Sequence, residues 1–174
     1  MKNRIIKQLV VNAMFIALLV VSSFISIPIN QVPYTLQTLV VFLLLLLMNY
    51  KNNMIIFIIY LIMGLIGLPV FSGFSSGVTP TLGFILGFII SPFVYLILDK
   101  IIKLKNINLK KFINLFINMI IINLIATIFY MLYMDIDFLS SLLICVVPYI
   151  LIEILKIVIA IIISNRIKFL FENK

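Results

Sequence analysis

The segment LSSLLICVVPYILIEILKIVIAIII, residues 139–163, is apolar over a length that can cross a membrane, yet it holds two opposite charges. Glu153 and Lys156 lie three residues apart, so on a helix both side chains project from the same face. Placing either charge near the centre of a bilayer costs roughly 2.5–3.5 kcal/mol, which makes such residues functional-site candidates. The pair therefore predicts a ligand or ion site, with a structural ion pair that fixes helix packing as the alternative.

Pro148 divides this segment and leaves two ways to place its helix. In the first, residues 139–163 form one span and the charged pair lies near the middle of the membrane. In the second, which we favour, the helix begins near Pro148 and runs to about residue 169, while residues 139–147 form a separate interfacial or re-entrant piece. The charged pair then lies only a turn or two below the outer surface.

The composition of the whole chain is that of an integral membrane protein. Of its 174 residues, 65% are hydrophobic and 10% are charged, whereas soluble domains are roughly 45–50% apolar and about 25% charged. We predict a single transmembrane domain over residues 1–174, an all-α bundle of six transmembrane helices. The second and third of the predicted spans are shorter than the roughly 20 residues of a straight crossing. The six spans cover residues 5–27, 34–48, 54–68, 80–98, 112–133 and 139–163.

Several classes of protein are disfavoured by what the sequence lacks. The chain has one cysteine, Cys145, and no histidine, so an intrachain disulfide is excluded and the commonest metal ligand is missing. A glycine-rich phosphate loop of the kind that binds ATP is also missing. We therefore expect no catalytic residues, no metal and no covalently bound cofactor, and we expect a protein that is not an enzyme.

The basic residues orient the predicted bundle. Twelve of the 13 lie in segments that fall on one side of the membrane, and the thirteenth is Lys156. The positive-inside rule places this side, with both termini, in the cytoplasm. The outer connections carry only Asp135 and Asp137 as charges. The net charge of +8 is explained by short loops that face anionic lipid headgroups, so it does not indicate a nucleic-acid partner.

The two predicted outer loops are unusually polar. Residues 28–38 carry prolines and run into a helix, and residues 64–81 are rich in glycine and serine. Glycines at this density allow the backbone to approach a small ligand closely. Ordinary turns and small-residue helix packing are the alternative explanation.

These loops carry motifs that resemble the BioY family, the biotin-binding membrane subunits (S components) of energy-coupling-factor (ECF) vitamin transporters. VPYTLQTL at residues 32–39 is similar to the family's VPxTLQTL, and GLPVF at residues 67–71 is similar to its GLPVF. Residues 80–88 are similar to PTGGYLxGF, and Pro148, Glu153 and Lys156 have the spacing of a Pro-x4-Asp-x2-Lys motif. The chain differs from the family at Glu153, where Asp is usual, at Phe84, where Tyr is frequent, and in a shorter segment between residues 73 and 80.

The resemblance implies a function and partners. The protein would bind biotin from outside and deliver it inward with a partner ECF module, a transmembrane coupling subunit plus two ATPases that use the ATP. Its location would be the plasma membrane. The alternatives are an S component for another acid-tailed cofactor precursor such as lipoate, and a membrane scaffold that is not a transporter.

The chemistry of biotin suggests a role for each candidate site residue. Glu153 is expected to accept hydrogen bonds from the ureido N–H groups, while Lys156 donates to an oxygen. Three aromatic rings are expected against the apolar bicycle, namely Phe71, Phe74 and Phe84. Six neutral donors are expected near the carboxylate tail, namely Thr35, Gln37, Thr38, Ser72, Ser75 and Ser76. Residues 70–79 are expected to close over the bound ligand.

Two further patterns concern helix faces. Asn123, Thr127 and Tyr130 share one face of the fifth span, where they either line a cavity or bond to another helix, and we favour the second reading. Ala13 and Ala17 form a small-x3-small pattern on the first span. The family resemblance implies that this alanine pair docks the coupling subunit, and packing within the bundle is the alternative.

Overall fold

The computed structural model describes residues 2–27 and 32–168, which contain seven α-helices. A two-residue strand β1 (Ser26–Ile27) follows the first helix and pairs antiparallel with β2 (Tyr34–Thr35). The helices are α1 (Lys2–Phe24), α2 (Gln37–Leu47), α3 (Tyr50–Leu65), α4 (Leu82–Ile101), α5 (Ile107–Met134), α6 (Phe138–Cys145) and α7 (Ile150–Ile167). Residues 28–31 and the end predicted near residue 169 lie outside the described residues.

The predicted all-α membrane bundle is confirmed. Among the described residues, four stretches are long and apolar enough to cross a membrane, and two shorter apolar helices, α2 and α3, complete the six predicted spans. The long stretches are Ile5–Phe24, Leu82–Ile101, Ile107–Met134 and Phe138–Ile167. Six spans put both ends of the chain on the same side, as the distribution of basic residues predicts.

The last long stretch is broken at Pro148, as we favoured from the sequence. α6 ends at Cys145, a single turn covers Val147–Tyr149, and α7 begins at Ile150. Proline lacks the N–H that would continue a helix, but its fixed φ suits the start of the next one. Glu153 therefore lies in the first turn of α7, near the outer end of the bundle.

Asp137 caps the N-terminus of α6 on the outer side of the bundle. The Asp137 carboxylate accepts hydrogen bonds from the hydroxyl and the backbone N–H of Ser140, at 2.6 and 2.9 Å. These bonds hold the pKa of the exposed Asp137 carboxyl below its usual range. Asp137 thus accepts from an N–H that has no partner within α6, and this bond fixes where α6 begins.

Helices α4 and α5 approach each other closely because two glycines of α4 face α5. A methyl group at Gly83 would lie 2.6 Å from Cβ of Phe129 and 2.9 Å from the backbone Cα of Ala126. At Gly87 it would lie 3.0 Å from Cα of Ile122. The two glycines thus set the distance between helices that carry cavity residues.

The outer segment between α3 and α4 is fastened to the bundle at Val70. The carbonyl of Val70 accepts hydrogen bonds from the hydroxyls of Tyr60 and Ser23, each at 2.8 Å. The Gly77 N–H donates to the Gly64 carbonyl, also at 2.8 Å. Residues 70–79 thus pack as a folded turn over the ends of α1 and α3.

Candidate ligand-binding site

A cavity near the outer ends of the helices brings together most of the candidate residues. The space within it is about 580 Å³ when the part open to solvent is included. Its walls come from the segment around β2, the starts of α2, α4 and α7, the middle of α5 and the end of α6. Six predicted site residues line it, namely Thr35, Gln37, Thr38, Ser72, Phe84 and Glu153.

The charged pair forms a buried ion pair at this wall. The Lys156 ammonium lies 2.6 Å from Oε1 of Glu153, and the two residues are only 3% and 6% exposed. Lys156 also donates to the backbone carbonyl of Thr35 and to the Thr38 hydroxyl, each at 2.6 Å. The ammonium lies 4.1 Å from the centre of the Tyr34 ring, a distance typical of a cation–π contact.

The two carboxylate oxygens of Glu153 differ in their hydrogen bonding. Oε1 accepts from Lys156 and from the Thr38 hydroxyl, at 2.6 and 2.8 Å. Oε2 is buried and has no hydrogen-bond partner among residues 2–27 and 32–168. Because an unpaired buried carboxylate oxygen is costly, this atom marks where a ligand with an N–H donor would gain most.

Besides Lys156, whose ammonium bonds to Glu153, four predicted contacts do not line the cavity, and we do not carry these four into the proposed site. The ring of Phe71 is fully buried because it fills the space above Gly64 and meets the edge of Tyr60. Phe74 is 65% exposed and stacks on Phe24, with ring centres 4.2 Å apart.

The two serines of that turn are also outside the cavity. The Ser75 hydroxyl donates to the Ser72 carbonyl within the turn, at 2.8 Å. Ser76 follows it and does not line the cavity. Of the predicted serines only Ser72 reaches the wall, where its hydroxyl oxygen is buried and has no partner in the described part of the chain.

Tyr149 and Tyr34 line the cavity but were not among the residues selected from the sequence. Their rings stack with centres 6.0 Å apart, and the Tyr149 hydroxyl donates to the Val32 carbonyl at 2.6 Å. Tyr149 precedes Glu153 by four residues, and this helical spacing was an available signal. Tyr34 occupies the variable position of the VPxTLQTL motif, so the motif gave no reason to select it.

The polar stripe on α5 divides between two roles. Asn123 lines the cavity. Thr127 donates its hydroxyl to the Asn123 carbonyl, four residues earlier in the same helix, at 2.8 Å. The Thr127 hydroxyl therefore bonds within its own helix, whereas we favoured a bond to another helix.

The alanine pair of α1 faces outward. Ala13 and Ala17 are both exposed, and the neighbouring Val10 is 62% exposed. Ala13 and Ala17 therefore do not pack within the bundle, which was the alternative interpretation. The pair belongs to an apolar surface that is distinct from the cavity.

The helical bundle and its outer cavity define a membrane protein with a partly polar pocket, walled by a buried ion pair, near its outer surface. Within residues 2–27 and 32–168, no three of the acidic and cysteine side chains gather as they would around a metal ion. The chain belongs to the BioY family, whose family model matches residues 1–173.

Two curated relatives show the extent of the similarity. The chain is 31% identical over 160 residues to the biotin transporter BioY2 of Lactococcus lactis, covering 90% of this chain and 87% of the relative. It is 41% identical over 92 residues to the biotin transporter BioY of Thermotoga maritima, covering 51% of this chain and 54% of the relative. The matched stretch thus spans about half the length of the Thermotoga protein.

A solved structure shares the fold. The chain matches the crystal structure of the S-component for biotin from an ECF-type ABC transporter with a TM-score of 0.85. The match covers 97% of this chain and 94% of that chain at 24% sequence identity. This likeness establishes the arrangement of the helices.

Proposed function

We propose that this protein is the biotin-binding S component of an ECF-type transporter. The observation that carries the proposal is the free Oε2 of Glu153, a buried acceptor at the wall of an outward cavity. The names of the relatives and of the structural neighbour support biotin as the ligand.

The lining of the cavity suits the parts of biotin. The ureido group presents N–H donors that match Glu153, and a charge-assisted bond of this kind is among the strong ones. The rings of Phe84, Phe88 and Tyr149 offer apolar surface to the sulfur-containing bicycle. Ser72 and Thr35, which also line the cavity, are the proposed partners of the carboxylate tail.

A panel of ligands tests this proposal on the purified protein. Biotin at ~100 times its dissociation constant is expected to stabilise the fold by about 2.7 kcal/mol, measured as a rise in melting temperature. Lipoate at the same concentration is expected to have no effect. Stabilisation by lipoate alone would favour the other S-component function, and stabilisation by neither would favour a scaffold.

The proposed partner is an ECF module with its own coupling subunit and two ATPases, located with this protein in the plasma membrane. The exposed Ala13 and Ala17 support a docking role for α1, because small side chains let a second helix come close. This surface is separate from the cavity, so docking and biotin binding can be tested separately.

Replacing Ala13 and Ala17 by valine is expected to preserve biotin binding in detergent but to lower co-purification with a co-expressed module. The added methyl groups keep the partner helix away without reaching the cavity. The matched control is serine at both positions, which keeps the side chains small. Equal co-purification of the valine and serine variants would show that the alanine face is not the docking surface.

Single cysteines are expected to distinguish the cavity wall from the outer surface. In a Cys145→Ser background, Ser72→Cys should be protected by biotin from an external, membrane-impermeant thiol reagent, because Ser72 lines the cavity. Val78→Cys should react with or without biotin, since Val78 is 60% exposed in the same segment. Labelling from the cytoplasmic side alone would contradict the topology. Equal labelling of Ser72→Cys with and without biotin would contradict the cavity assignment.

A further inference from the structure

We propose that Asn123 is a specificity-determining residue that donates a hydrogen bond to the ureido oxygen of the ligand, and that Lys156 is a positioning residue. The inference rests on the proposed biotin-binding function. It changes the role that the sequence suggests for Lys156, which was expected to donate to a ligand oxygen.

The ammonium of Lys156 has no donor left for a ligand. A lysine ammonium carries three N–H donors. The structure gives it three acceptors at 2.6 Å, namely Oε1 of Glu153, the Thr38 hydroxyl and the Thr35 carbonyl. Lys156 does not line the cavity. Its bonds fix Oε1 of Glu153 and leave Oε2 as the acceptor for the ligand.

Other side-chain donors at the cavity already have protein partners. The Thr38 hydroxyl donates to Glu153, and the Tyr149 hydroxyl donates to the Val32 carbonyl. The Gln37 side-chain amide uses one of its two N–H groups in a bond to the Tyr60 hydroxyl. A ligand oxygen beside Glu153 therefore has few side-chain donors available to it.

We assign this bond to Asn123. It lines the cavity from the middle of α5, and its side-chain amide makes no hydrogen bond with the described part of the chain. Asn123 is 9% exposed and lines the cavity, so a ligand there would bury it further. A buried amide donor left without an acceptor is costly, and a site built around one rejects ligands that lack the matching oxygen.

The test compares biotin with its 2-thio analogue, in which sulfur replaces the ureido oxygen and accepts hydrogen bonds weakly. Affinities are measured by ligand retention on the purified full chain. The natural chain should prefer biotin, whereas Asn123→Leu should bind biotin roughly 10- to 100-fold more weakly and lose this preference. A purely structural role for Asn123 would weaken both ligands equally and leave the preference unchanged.

The matched control is Asn118→Leu, five residues away on the same helix. The Asn118 side chain is fully buried, bonds to Asn114 and does not line the cavity, so this variant should keep the preference for biotin. If Asn123→Leu does not fold, Asn123→Ala gives the same comparison. A preference that persists without the Asn123 amide would overturn the inference while leaving biotin binding established. A natural chain that retains no biotin would overturn the proposed function and this inference with it.

Discussion

Replacing Lys156 by methionine, or Glu153 by leucine, is expected to abolish biotin binding, whereas the double replacement is expected to fold and insert but not to bind. Each single change leaves one buried charge without its partner. Removing one member of a buried pair typically costs about 3–5 kcal/mol, while two apolar residues in its place are well tolerated. The paired atoms are Nζ of Lys156 and Oε1 of Glu153, which lie 2.6 Å apart.

Three measurements check this prediction, namely yield of folded protein, melting temperature and biotin retention. Leu155→Met is a suitable control, because it introduces the same side chain one position away on a face that is 57% exposed. It should leave all three unchanged. A double variant with near-natural affinity for biotin would show that the cavity acceptor is not Glu153.

Replacing Gly83 by alanine is expected to destabilise the protein by about 1–3 kcal/mol, the usual cost of overpacking a filled interior. The new methyl group would meet Cβ of Phe129 and the backbone of Ala126, and the backbone cannot move aside cheaply. At an unconstrained helix position the same change would stabilise by up to ~1 kcal/mol, so the sign of the effect is informative.

Gly87→Ala provides a graded comparison on the same helix face. Its methyl group would lie 3.0 Å from the nearest atom, so a smaller loss of melting temperature is expected than for Gly83→Ala. Stabilisation by both changes would show that α4 and α5 do not pack as closely as described.

The fold was predictable because membrane insertion leaves strong marks on a sequence. Apolar length indicates the spans, basic residues indicate the side, and Pro148 indicates the break before α7. These signals are local, so they need no knowledge of which helices are neighbours.

The site was only partly predictable because side-chain partners depend on that neighbourhood. An aromatic residue in a glycine-rich loop can face a ligand or fill a gap, and Phe71 fills the gap above Gly64. Thr38 was expected at the carboxylate tail, but its hydroxyl lies between Glu153 and Lys156, a contact across 115 residues of sequence. A single sequence does not reveal such long-range contacts.

The small β1–β2 pair joins the cavity to the first helix. β1 follows α1 after one residue, and β2 carries Tyr34 and Thr35, which hold the Lys156 ammonium by a ring face and a carbonyl. The buried charge is thus connected through two short strands to the outer end of α1, the same helix that exposes Ala13 and Ala17 on its surface.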